Sequence, residues 1–207
     1  ENIKLLETID PECHVTIITN LSTDLEQNTI AQMLLDRPSV GWSMSFDNIG
    51  ERFEYVRHGG DHEQHDKNFK LVADHINNSG HYGGIHSVYN IYNCTRLREL
   101  RKYADDHSVG ILWQNLGGPE CLDPSKHNKQ VREIAIKEID AYDQEFGFTR
   151  MDREFFELVR ENLTNDSNEE PGIGNSFRLF TKNIETHYHP DKKGDFERLW
   201  PELAKLI

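Results

Sequence analysis

The chain is short of everything that would mark it as a membrane, nucleic-acid-binding or disulfide-stapled protein. Its longest apolar stretches, such as residues 15–18 and 111–113, fall far below the roughly 18 residues that span a bilayer, and no charged-then-apolar leader opens it. Basic residues are few: 23 Lys and Arg stand against 36 Asp and Glu, a formal net charge of -13. Phosphate neutralisation needs clustered cations, so no nucleic-acid partner is expected. Cysteines number three, Cys13, Cys94 and Cys121, widely spaced and with no CxxC pair. That pattern argues reduced, scattered thiols and a cytoplasmic protein, not a disulfide framework or a zinc ribbon. Several Asn-x-Ser/Thr triplets, Asn93-Cys94-Thr95 among them, have no secretory context and are not expected to carry glycans.

What is present is a globular composition. The 207 residues are 36% hydrophobic and 10% aromatic. A chain of this length buries about 70% of its unfolded surface.

Short β-type runs alternate with amphipathic stretches over the first two-thirds, the pattern of βαβ units. The strands are expected at 14–20, 40–46, 84–89 and 109–114. In the second, Trp42, Met44 and Phe46 share one face. The near-continuous apolar character of these runs favours a parallel sheet covered on both faces. Between them, Thr23 and Glu26 form a capping box for a helix to Leu35, and residues 47–60 read as a Gly-punctuated loop. A helix over 61–77 buries Phe69, Val72 and Ile76, and Gly80 follows its end. Asn93 is the candidate N-cap of a helix carrying Leu97, Leu100 and Ala104.

Beyond Gly117-Gly118-Pro119 the period becomes helical. Asp123-Pro124 supplies an N-cap and a first-turn proline, and helices are expected over 127–146, 152–163, 177–187 and 195–206. Residues 165–174 form the best linker candidate. The fold class is therefore α/β: a partial (βα) barrel of about four parallel strands over residues 1–122, with a helical C-terminal extension over 123–207.

In such architectures the chemistry sits at the carboxyl ends of the strands. Those ends offer Asn20, Ser45, Asp47, Ser87, Asn90, Gln114 and Asn115. They form a ring of hydroxyl, amide and carboxylate groups suited to a polar small molecule, with no strong nucleophile beside an obvious base.

The run Ser45-Phe46-Asp47-Asn48-Ile49-Gly50-Glu51-Arg52-Phe53-Glu54-Tyr55-Val56-Arg57-His58-Gly59 resembles the segment after the fourth barrel strand of the radical S-adenosylmethionine family, in its twitch-domain-containing branch. Thr19-Asn20-Leu21 resembles the T-N-G turn after that family's third strand. Residues 88–93 and 113–119 resemble its fifth and sixth strands with their loops, and residues 196–203 its closing F-P-E-L helix. Leu21 and Asn48 stand where the family usually has glycine, so those turns are expected to differ in backbone conformation.

The family's C-x-x-x-C-x-x-C loop and G-G-E-P turn are absent from this chain, which resembles the C-terminal part of the barrel, with the first two strands expected upstream. The resemblance implies S-adenosylmethionine and a [4Fe-4S] cluster in the intact parent protein. Without the cluster loop it implies an inactive fragment, because cleavage of S-adenosylmethionine needs an electron from a thiolate-held cluster. It also implies that Asn20, Ser45, Asp47, Ser87, Asn90 and Gln114 line part of the cofactor pocket, with a small-molecule or peptide substrate beside them.

Competing expectations remain. One is a cluster-free small-molecule module that assembles as a homodimer, two half-barrels completing one ring of about eight strands. His58, His62 and His65, and His187 with His189, invite a metal site, yet their spacing matches no metal motif and favours a solvated, histidine-rich surface. The acidic helices read as solvated faces, and Trp42, Trp113 and Trp200 as packing residues.

Overall fold

A computed structural model describes residues 8–80, 82–188 and 194–207. His189, of the second histidine group, lies outside them. Four strands, β1 (Val15–Thr19), β2 (Val40–Ser45), β3 (Gly83–Tyr89) and β4 (Gly110–Asn115), form one parallel sheet in the order β1-β2-β3-β4. The helices between them are α1 (Thr29–Leu35), α2 (Gly50–Val56), α3 (His62–Ser79) and α4 (Leu97–Asp106). After β4 come two short 3-10 turns, then α5 (Lys129–Phe146), α6 (Arg150–Thr164), α7 (Ile173–His187), α8 (Asp195–Leu199) and α9 (Pro201–Ala204). The fold is the expected α/β arrangement, a partial (βα) barrel followed by a helical C-terminal part.

Among the described residues, helices pack on one face of the sheet. Trp42, Met44, Ile85, Tyr89 and Trp113 are buried on it, where α3 packs on β2 and β3 while α4 and α6 pack on β4. Phe69, Val72 and Ile76 are buried along α3 as their spacing predicts, and Gly80 ends that helix in the left-handed conformation at φ 69. Trp113 stacks with Phe155 of α6, and Trp200 donates its indole N–H to Tyr92 O at 2.7 Å. All three tryptophans are buried, so one core joins the sheet to the C-terminal helices.

The opposite face departs from the expectation of cover on both sides. Side chains alternate across a strand, which sends Ile18, Ser43, Ser45, His86, Val88, Leu112 and Gln114 to that face. Ile18, in the middle of β1, is 74% exposed.

Several local expectations are corrected. The capping box at Thr23 and Glu26 does not form; α1 begins at Thr29, capped by Asn28. Buried Asn68 holds the preceding segment in turns instead, donating to Leu21 O and Thr23 O and accepting the Leu25 N–H. The span 47–60 is not all loop: it contains α2, which buries Phe53 and Tyr55. Asn93 does not cap α4, whose N-cap is Arg96. Asp123 and Pro124 open a 3-10 turn, and the long helix α5 is capped by Asn128. The last helix breaks at Trp200, because Pro201 lacks an N–H and disfavours helical geometry in the residue before it.

Candidate functional site

Asp47 stands two residues beyond the end of β2, and its carboxylate organises the carboxyl end of the sheet. Oδ1 accepts the Val88 N–H at 2.7 Å and the Ser87 hydroxyl at 3.2 Å. The Arg57 guanidinium, which follows α2, brings Nη2 to 3.8 Å from Asp47 Oδ2 and 3.4 Å from Ser45 Oγ. Arg57 Nε is buried without a hydrogen-bond partner. Burial raises the Asp47 carboxyl above its usual range, while the Val88 N–H, Arg57, Ser87 and His86 pull it back.

Behind Asp47 the network continues inward. Asn93, fully buried, donates from Nδ2 to Ser87 Oγ at 3.4 Å and to Val88 O at 2.8 Å. Its Oδ1 accepts the Asn90 N–H at 2.8 Å. Asn90 in turn donates to Val88 O and accepts the Tyr92 N–H. These two amides build the turn after β3, so their polar groups serve the backbone.

The expected ring is thus only partly assembled. Ser45, Asp47 and Ser87 come together, with Arg57 and Asn93 added. Asn20 stands at the level of Ser45, since Thr19 pairs with Met44, but its Oδ1 accepts the backbone N–H and hydroxyl of Ser22. Gln114 is exposed at the level of Val88. Arg57 was missed as a site residue because it lies twelve positions after Ser45, and only the return of the chain through α2 brings the two side chains together. Leu21, where the resembling family has glycine, adopts φ 55; Gly50, not Asn48, carries the positive φ of the second turn.

The histidine-rich segment is not a solvated surface throughout. His65 is only 2% exposed, its ring 4.6 Å from Phe46 and 4.3 Å from Phe53, with neither ring nitrogen hydrogen-bonded. Among the described residues no group of three or more His, Cys, Asp or Glu side chains is placed to hold a metal ion. Cys13 is exposed, whereas Cys94 and Cys121 are buried and burial pushes both thiols up. The three do not form the thiolate set that a [4Fe-4S] cluster needs.

Comparison of the chain with protein-family models, with curated proteins and with solved structures finds no match. No helix among the described residues is long and apolar enough to cross a membrane.

Proposed function

We propose that this chain supplies the strand-end pocket of a radical S-adenosylmethionine enzyme, as a half-barrel that is inactive without cluster-binding strands. The observation that carries the reading is the Arg57 guanidinium beside Asp47 and Ser45 at the carboxyl end of β2. A guanidinium fits a carboxylate in a two-pronged contact, and an adjacent carboxylate fits an ammonium. Together with the Ser45 hydroxyl they suit the amino-acid head of S-adenosylmethionine, with the small-molecule or peptide substrate on the uncovered sheet face. When bound, that cofactor supplies the adenosyl group on which the family's radical chemistry rests. The role of this chain's own residues is to bind and orient it.

Saturation-transfer NMR with S-adenosylmethionine tests the reading. Wild-type chain binds the ligand, free methionine competes for the site, and Arg57→Gln weakens binding about tenfold, the loss of roughly 1.4 kcal/mol from one charged contact. Equal binding by wild type and Arg57→Gln removes the proposal.

The exposed Ile18 favours a second reading, a cluster-free small-molecule module built as a homodimer. Four strands from each of two copies complete a ring of about eight and cover Ile18. Light scattering shows a dimer in that case, and Ile18→Asp shifts it to monomer. Cytoplasmic placement is part of the proposal, supported by the unpaired thiols of Cys94 and Cys121.

A further inference from the structure

A cavity of about 540 Å³ opens between the end of α2 and the second half of α7, within the size range of small-molecule sites. From α7 it takes Phe180, Asn183, Ile184, His187 and Tyr188, a spacing of three and four that puts all five on one stripe of the helix. A stripe that only packed against the core would be apolar throughout. This one alternates apolar and hydrogen-bonding side chains, and Asn183, His187 and Tyr188 are exposed, so a molecule entering from solvent reaches them.

Val56 of α2, Phe180 and Ile184, all partly buried, form apolar walls. Tyr55 borders the cavity but is 1% exposed, and its hydroxyl is already given to Glu185, so it offers no polar group. At the mouth, Tyr188 is 53% exposed and its ring lies 4.7 Å from that of His58. A ring left half open at the edge of an apolar cavity presents a flat surface for stacking. The Asn183 amide holds a donor and an acceptor in one plane. Among the described residues no Asp, Glu, Lys or Arg lines the cavity, so a charged ligand would lose its hydration there without gaining an ion pair.

We infer that this cavity binds a neutral, flat heteroaromatic molecule carrying a neighbouring donor and acceptor, with its ring on Tyr188 and the apolar walls and its polar edge on Asn183. Each feature of the ligand answers one of the site: flatness the open ring, neutrality the lining, and the paired polar edge the amide. None of Ser45, Asp47 and Arg57 lines the cavity, so the site is separate from the strand-end cluster. It stands whether or not S-adenosylmethionine binds.

The test is an NMR titration of the whole chain at about pH 8, where an imidazole is ordinarily neutral, with nicotinamide, a flat neutral ring bearing a carboxamide. Nicotinate keeps the ring and carries a negative charge, and cyclohexanecarboxamide keeps the amide and loses the flatness. Nicotinamide produces saturable shifts at Asn183, Ile184, His187 and Tyr188, with a dissociation constant in the millimolar range expected for so small a ligand. Each control needs at least about fivefold more. Asn183→Ala weakens nicotinamide binding at least about threefold and leaves the unfolding midpoint unchanged, since the side chain is exposed. Tyr188→Leu, which stays apolar and loses the flat ring, erases the preference over cyclohexanecarboxamide. The inference is overturned by the absence of saturable shifts at these residues up to about 50 mM, by equal affinity for either control, by unchanged affinity in Asn183→Ala, or by displacement with methionine, which would place the ligand in the Arg57 cluster.

Discussion

The Asp47 carboxylate, in the turn after β2, accepts the backbone N–H of Val88 in β3 at 2.7 Å. This bond extends the pairing of two parallel strands past the point where their own ladder ends, and it fixes the carboxylate beside Arg57. Site geometry and sheet geometry are one arrangement at this place.

Asp47→Ala leaves the Val88 N–H and the Ser87 hydroxyl without their acceptor and is expected to cost about 1–3 kcal/mol in urea unfolding. Asp47→Asn keeps an oxygen acceptor and loses less. Because burial raises the folded-state carboxyl above its unfolded value, ionised Asp47 opposes folding at neutral pH. The stability of wild type relative to Asp47→Asn therefore rises as the pH falls through the folded value, and it is flat where both states are ionised.

His65 gives the opposite slope. Burial lowers its imidazolium to about 4 in the folded protein, while the unfolded chain binds a proton near 6.5. Stability present above pH 6.5 is lost as the pH drops from there towards 4, by up to about 3 kcal/mol for this residue. Denaturant midpoints for His65→Phe across that window show a shallower loss than wild type. Parallel curves for the two proteins exclude His65 as the cause.

Arg132, on α5 and 3% exposed, donates to Leu163 O at 3.0 Å and pairs with Asp166 at 2.8 Å and Glu169 at 3.2 Å. It ties the end of α6 to α5. Arg132→Met is expected to lower stability by about 1–3 kcal/mol, because Leu163 O loses a charged donor inside the protein while both carboxylates remain wet. Added salt recovers none of the difference, since the lost bond to Leu163 O is buried.

Glu185 of α7 accepts the Tyr55 hydroxyl at 3.2 Å, the Gly194 N–H at 3.0 Å and the Phe196 N–H at 3.1 Å. One side chain thus holds α2 and the start of α8. Glu185→Ala removes the acceptor these three donors share, and hydrogen exchange at Phe196 and the residues after it is expected to speed by about tenfold or more. Exchange that quickens equally throughout the sheet would point to global destabilisation instead.

Much of the fold was legible because its causes are local. Alternation set the faces of 40–46, the three-and-four spacing of Phe69, Val72 and Ile76 marked α3, and Gly80 stopped it. At the candidate site, Ser45, Asp47 and Ser87 were legible as strand-end polar residues, because β strands and their ends leave a local pattern. Arg57 left no such pattern. Seven-residue α2 has no side-chain cap to announce it, and its course decides where the guanidinium goes.

By itself the sequence determined the strands, the longer helices and the α/β class, since each follows from neighbours a few residues apart. The tertiary structure alone decided that Asn68 overrides a capping box more than forty positions away, that Asn93 serves a turn and not a helix, and that Ile18, in mid-strand, stays exposed among the described residues. The reason is physical: a buried polar group takes whichever partner the packed chain brings within hydrogen-bond distance, and that partner is set by the path of the whole chain.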